Sequence, residues 1–511
     1  MPASFVDRHW RWALIAIVIV YLALALGRAY STQPWNDEAW YASPSWSLVH
    51  HGNTGTPIIE TTGKFWKGMD HITYWVVPLQ FFVQVPWIEA FGFGLITMRM
   101  FAICWGLIAL LAWARIVFLL SRSMLAALLT ALFLACDYQF ASQMALARMD
   151  AMAVALASLA ILAYLELRNK EFLWAIALSQ TAVVACGLTH PTAGVPAFVA
   201  VLVLTLVLDF SHIRVVHVAT AFVPYLLGAA FWGWYISYAP DLFRAQFFGN
   251  VTDIDRLGGF AHPFRAVERE IGRYVGMSGF APTMNPLYRI KIIAVLTYFV
   301  AVVGLFARPE MRRQKGIRIL LVLWSVYFLA MTFYDNTKEV KYAIHIVPFY
   351  DAILAIWIAY AFTKGIVQRL LAAACGVAFV LVSMGGVAYT SLVKDDYHQM
   401  YLPTAEFLKH EAAPQDLIMA GSEFGFALGF DRNIVDDNDF TYKSHKKPAF
   451  IVISNGYRGV LLHDRIVHPE IVAYFNNLLQ QGYAPVFTKG EYQVFESKDK
   501  LDRQRRAVRA K

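Results

Sequence analysis

Long apolar runs separated by short polar breaks dominate the first 390 positions of the chain. A helix needs roughly 17–25 apolar residues to cross a bilayer. By that measure 12–28, 97–120, 124–143, 151–167, 172–188, 194–210, 215–237, 290–307, 317–334, 343–363 and 367–390 predict about eleven transmembrane helices. The run 72–93 differs, being broken by Pro78, Gln80, Gln84, Pro86 and Glu89. Counting it as a span would move every later loop to the opposite face. Leaving it out gathers Arg8, Arg11, Arg122, Arg168, Lys170, Arg214, Arg308, Arg312, Arg313, Lys315, Lys364 and Arg369 on one face, as the positive-inside rule asks. Segment 72–93 is therefore expected to be a juxtamembrane or re-entrant piece at the outer face, where irregular backbone is tolerated if buried against protein. The first run lacks an Ala-x-Ala cleavage site and is longer than a signal-peptide core, so it is expected to stay as a span.

Past Tyr389 the pattern shortens and mixes. Leu417–Ala420, Phe450–Ser454 and Tyr492–Phe495 predict strands; Pro403–Glu411 and Glu470–Gln481 predict helices. The expected organisation is a membrane domain over 1–390, a small α/β domain over 391–497 and a charged, frayed tail over 498–511. An odd number of spans puts the α/β domain outside.

Composition supports a polytopic α-helical membrane protein. The 511 residues are 58% hydrophobic and only 16% charged, against about 25% charge in soluble domains. The net charge of +8 sits largely in the short loops, so it reads as topology rather than a nucleic-acid surface. Cys104, Cys136, Cys186 and Cys375 all lie in apolar runs, with neither a disulfide nor a zinc spacing. There is no P-loop, GxGxxG or HExxH to mark a nucleotide-driven machine or a zincin.

The same topology collects on the outer face the polar residues that packing explains least. Asp37 and Glu38 follow the first span, and Arg148 and Asp150 join two later ones. His190-Pro191, the long loop 238–289 and the cluster Asp335 to His345 also fall there. A carboxylate at a dry cavity mouth can take a proton from a hydroxyl or hold a metal; the alternative for Asp37 and Asp150 is a helix N-cap. Lys338, Lys341 and His345 at a membrane boundary suit a phosphate beneath a lipid headgroup, or else are snorkelling ends. In the long loop Arg256 is the better phosphate candidate, and the charges at 268–273 read as a solvated face. His190 reads most simply as part of a turn.

Taken in order, these stretches resemble the GT-C superfamily of membrane glycosyltransferases, nearest the lipid-A aminoarabinose transferase and protein O-mannosyltransferase-like branch. Asp37-Glu38-Ala39-Trp40-Tyr41-Ala42 is similar to the family's first-loop Asp-Glu-x-x-Tyr-Ala, and Leu48-Val49-His50-His51-Gly52 to its continuation. Lys67 with Tyr74-Trp75 resembles the juxtamembrane Glu-Lys-Pro…Gly-Tyr-Trp piece. Arg148-Met149-Asp150 resembles the second-loop acidic motif, Asn250…Arg256 the Asn/His…Arg-Phe pattern, and Lys338…Tyr342…Pro348 the late Lys…Tyr…Pro motif. Trp40 stands where the aminoarabinose branch has Arg, and Trp66-Lys67-Gly68 lacks the usual Lys-Pro, so acceptor chemistry does not carry over.

The resemblance implies a GT-C fold with outer juxtamembrane helices, and inverting sugar transfer from a polyprenyl-phosphate donor at the outer face of an inner membrane. The acceptor would be a lipid, glycan or protein. Asp37, Asp150 and Glu38 would be catalytic. Lys67, Arg256, Lys338, Lys341, Tyr342 and His345 would bind the donor phosphate, and Trp40, Tyr41, Arg148 and Asn250 would line the cavity. No cofactor is required; a divalent metal, if used, would lie between Asp37 and Asp150. The rival readings are a transporter or lipid flippase and a non-catalytic subunit of a polymer-export system; a transporter would favour charges within broken helices.

Overall fold

The computed structural model describes residues 5–63, 66–252, 256–280 and 286–509. All eleven expected apolar runs are helical. They form α1 (Phe5–Ser31), α4 (Leu95–Ser121), α5 (Met124–Cys136) with α6 (Tyr138–Met144), α7 (Met149–Leu167), α8 (Phe172–Thr189), α9 (Pro191–Asp209), α10 (Val215–Ser237) and the helices Ile292–Ala307, Lys315–Phe333, Val347–Ala361 and Ile366–Ala388. Between the first two lie α2 (Asn36–His51) and α3 (Leu79–Phe91).

The count of membrane-crossing helices is lower than eleven. Among the described residues nine are long and apolar enough to span, or ten if a bent pair is one span. That pair is α5 and α6, which meet at 63°. The break falls at Asp137, whose carboxylate accepts from the Phe140 amide at 2.7 Å and from the Tyr298 hydroxyl at 2.6 Å. The run 343–363 loses its start to a 3₁₀ turn, Val340–His345, leaving the 15-residue helix Val347–Ala361. Nearly all of that helix is buried, so it packs inside the bundle without having to cross the lipid alone. Helix α10 is the opposite case, with Val215, Leu226 and Leu227 exposed for lipid to cover. Segment 72–93 contains only the 13-residue α3, too short to span, as its broken pattern predicts. The chain is an integral membrane protein.

The soluble part contains one five-stranded sheet, ordered β2-β1-β3-β5-β4: β1 Ile418–Met419, β2 Ile434–Val435, β3 Phe450–Ile453, β4 Tyr483–Lys489 and β5 Tyr492–Ser497. The first three strands run parallel; β5 is antiparallel to both its neighbours. β1, β3 and β5 and the helices Leu402–Glu411 and Pro469–Gly482 match expectation. β2 has only two residues, and β4 carries the weak strand formers Ala484 and Pro485 near its start, so neither gives a clear strand pattern. The tail is corrected outright. Lys498–Arg509 is a helix, anchored where Lys500 donates to the Glu411 carbonyl at 2.9 Å and to Asp416 at 2.8 Å. Residues 510–511 lie outside the described residues.

This domain is stitched to the loop that follows α1. The Asp436 amide donates to the Ile58 carbonyl at 2.7 Å, and the Glu60 amide donates to the Asp436 carbonyl at 2.9 Å. The Trp40 indole donates to Ser422 Oγ at 2.6 Å and to Asp436 Oδ2 at 3.2 Å. Nearby, burial and then the Asp436 charge push the Glu423 carboxyl up to about 8. Its folded pKa is the higher one, so folding takes up a proton between the two values, and stability falls as pH rises from the ordinary carboxylate range towards 8. Glu423→Gln stays neutral throughout. It is expected to raise Tm above wild type at about pH 9 and to leave Tm unchanged at about pH 4, as a thermal-unfolding series would read.

Candidate active site

The polar residues of the loops expected on the outer face meet at one end of the helical bundle. Trp35 precedes α2 in extended conformation, which puts Asp37 and Glu38 in the first helical turn. There the free amides and helix dipole favour negative charge. Adjacent in sequence, the two carboxylates point to different partners.

Glu38 is fully buried and saturated. It accepts from Arg99 Nε at 2.8 Å and Arg99 Nη2 at 2.7 Å, from the Ala147 amide at 2.8 Å and from the Trp35 amide at 2.9 Å. Arg99 in turn donates to the carbonyls of Ala29, Thr32 and Gln33. This corrects the expectation of a catalytic Glu38: no lone pair is left for substrate, and the group ties the first loop to the second. Arg99 sits in a long apolar run with no motif around it, so the sequence gives it no functional signal.

Asp37 keeps some access, with its side chain 15% exposed. It accepts from the Arg148 guanidinium and, at 3.3 Å, from Lys341 Nζ. Burial would raise its pKa, but Arg148 and Lys341 outweigh that and hold it below the ordinary carboxylate range. Lys341 also pairs with Glu339 at 2.6 Å and lies 4.5 Å from the centre of the Trp35 ring. Arg148 stacks 5.2 Å from both Trp35 and Tyr41 and donates through Nε to Asp150 Oδ2 at 2.9 Å. Arg148 therefore lies between the two acids. Its charge stands where a cation shared by Asp37 and Asp150 would have to lie. Asp150, at the start of α7, is fully buried; its other oxygen faces His190 and His345.

In front of this network lies a cavity of ≈ 300 Å³, lined by Tyr41, Trp75, His190, Asn250, Arg256, Tyr342 and apolar neighbours. Tyr41 stacks on Trp75, and Asn250 is held by donating to the Trp75 carbonyl at 2.8 Å. Arg256 donates to Asn250 Oδ1 at 3.2 Å, while its Nε has no partner. Burial pushes His190 down to about 3, against the pull of Asp150, so the imidazole is neutral.

Three expected site residues go elsewhere. Lys338 adopts a left-handed backbone and spends its ammonium on Glu270 at 3.1 Å and on the Met331 and Thr332 carbonyls. The ion pairs of Arg273 with Asp335 and Glu270 make this a buried cluster, so it is not a phosphate clamp. It also corrects the reading of 268–273 as wholly solvated: Glu270 and Arg273 are buried. Lys67 is exposed; its carbonyl, rather than its ammonium, is engaged, by Gln246 at 2.9 Å. Trp40 packs edge-on against Trp75, but its indole N–H points to the soluble domain. Beside the Lys338 cluster an apolar groove of ≈ 600 Å³ runs between 267–280, 292–299 and 328–333.

No protein-family model and no curated protein matches the sequence. Solved structures do. ArnT from Cupriavidus metallidurans bound to undecaprenyl phosphate aligns over 95% of this chain and 97% of its own, with TM-score 0.63 and 15% identity. The archaeal oligosaccharyltransferase AglB from Archaeoglobus fulgidus, in complex with an inhibitory peptide and a dolichol-phosphate, aligns over 96% of this chain and 75% of its own, with TM-score 0.55 and 12% identity. These likenesses show the GT-C fold.

Proposed function

We propose that the protein is an inverting glycosyltransferase. It moves a sugar from a polyprenyl-phosphate donor to a lipid, glycan or protein acceptor, at the outer face of an inner membrane. The observation that carries this reading is an ionised Asp37 packed against Arg148 and Lys341, directly behind an aromatic cavity that holds Arg256. The two similar proteins captured with polyprenyl phosphates support the choice of donor.

In this reading Arg256 and Lys341 hold the donor phosphate and stabilise the charge that grows on it as the glycosidic bond breaks. The apolar groove takes the lipid tail. Asp37 faces the acceptor hydroxyl or phosphate, orients it for attack on the anomeric carbon and takes its proton as the bond forms. Arg148 keeps Asp37 ionised, and Asp150 fixes Arg148.

The test is purified protein in detergent, supplied with radiolabelled polyprenyl-phosphate sugars. Wild type is expected to release polyprenyl phosphate. Arg256→Ala is expected to weaken donor binding by roughly 10- to 100-fold, the value of one charge-assisted contact. Binding of no donor by the wild type would move the reading to a transporter.

A further inference from the structure

We propose that Asp150, His190 and His345 form a binding site for one divalent transition-metal ion of the zinc class. The three side chains come from three separate elements. Asp150 is in the first turn of α7, His190 in the extended break between α8 and α9, and His345 at the end of the 3₁₀ turn Val340–His345. All three are buried, and one ligand atom from each lies within 4.8 Å of the others.

The distances suit an ion better than hydrogen bonds. Asp150 Oδ1 is 3.7 Å from His190 Nε2 and 3.6 Å from His345 Nε2, beyond hydrogen-bond range. Two ligands bound at about 2.1 Å in tetrahedral geometry sit about 3.4 Å apart, close to both values. Asp150 Oδ1, His345 Nε2 and both ring nitrogens of His190 are buried without a hydrogen-bond partner. A buried polar atom left unmade costs about 1–3 kcal/mol, and here several converge on one point. One ion would satisfy an atom from each residue.

The surroundings prepare the ligands. Arg148 Nε holds Asp150 Oδ2, which leaves Oδ1 directed at the two imidazoles. Such outer contacts orient metal-binding carboxylates. His190 also lines the ≈ 300 Å³ cavity, so the ion would lie at its wall. Two imidazoles and one carboxylate suit zinc, and a site with three protein ligands keeps a position for water or an anionic oxygen such as that of a phosphate. The site stands independently of sugar transfer, because its ligand atoms are placed by the fold alone.

The test is metal content. Wild-type protein purified without chelator, then dialysed against ZnCl₂ and desalted, is assayed by plasma mass spectrometry. A chromophoric chelator then measures zinc affinity by competition, and Co²⁺ substitution supplies a visible absorption band. The expected result is about one ion per chain, with affinity at least tenfold weaker in His345→Ala and Asp150→Asn. Folding of each variant is checked by its elution as a single detergent-bound species, with His345→Gln as the milder replacement. Failure of the wild type to retain zinc or cobalt would overturn the proposal, whatever the variants do. So would wild-type affinity in folded His345→Ala and His190→Ala, which would place the ion elsewhere.

Discussion

Asp37→Asn is expected to lower kcat for sugar transfer by about 10²- to 10⁴-fold, the usual contribution of a positioned acid–base group. The substitution keeps the shape and one acceptor oxygen but turns the other into a donor and removes the charge. Donor affinity should hold within a few-fold, because Arg256 and Lys341 remain and Lys341 is released from its carboxylate partner. The split between kcat and donor binding distinguishes loss of chemistry from loss of fold. Retention of full transfer would remove Asp37 from the mechanism. The depressed pKa adds a pH signature. Because Arg148 and Lys341 lower it in the folded state, the stabilisation from this network is complete above the ordinary carboxylate range and is lost as pH falls through the folded value. Lys341→Met removes one of the two cations and should move the acid limb of any activity profile to higher pH.

The second large effect is structural. Arg99 and Glu38 form a pair whose side chains are fully buried. Removing one partner leaves an uncompensated charge in a low-dielectric interior, at about 3–5 kcal/mol. Arg99→Met should therefore sharply shorten the half-life of the detergent-solubilised protein on heating. Glu38→Gln should shorten it less: one amide oxygen still accepts from a backbone amide, and Arg99 keeps the Ala29, Thr32 and Gln33 carbonyls, although the new NH2 faces a donor. The double replacement Glu38→Gln with Arg99→Met should cost less than the sum of the two, since no orphaned charge remains. Glu38 is expected to act as a positioning residue: it holds the Ala147 amide, next to Arg148, so Glu38→Gln should also reduce kcat while donor affinity changes little. If the single replacements left both half-life and kcat at wild-type levels, the clamp would carry no weight.

The parts legible in sequence were those governed by the bilayer. Apolar length located every helix of the bundle, though it also counted the short 347–361 helix as a span, and the charge bias of short loops gathers Asp37, Arg148, Asp150 and Lys341 at one end. Sequence could not separate adjacent carboxylates. Asp37 and Glu38 share a helical turn, and only the tertiary position of Arg99 makes one a clamp and leaves the other accessible. Lys338 and Lys341 carry the same motif weight, yet Lys338 turns back to cap the 315–333 helix and meet Glu270, while Lys341 meets Asp37. His190 read as part of a turn because a lone histidine before proline gives no hint of partners 40 and 155 residues away in Asp150 and His345. The bend at Asp137 and the short 347–361 helix escaped notice because hydropathy is blind to direction.

The stitching of the soluble domain to the first loop has a bearing on how the protein is made. Asp37 and Trp40 leave the ribosome almost 400 residues before Ser422 and Asp436, which fasten the Trp40 indole. The loop that carries Asp37 therefore reaches its final shape only after residue 436 has been made. A product truncated before residue 436 would keep every apolar helix yet lack that fastening, leaving the loop that carries Asp37 unsecured.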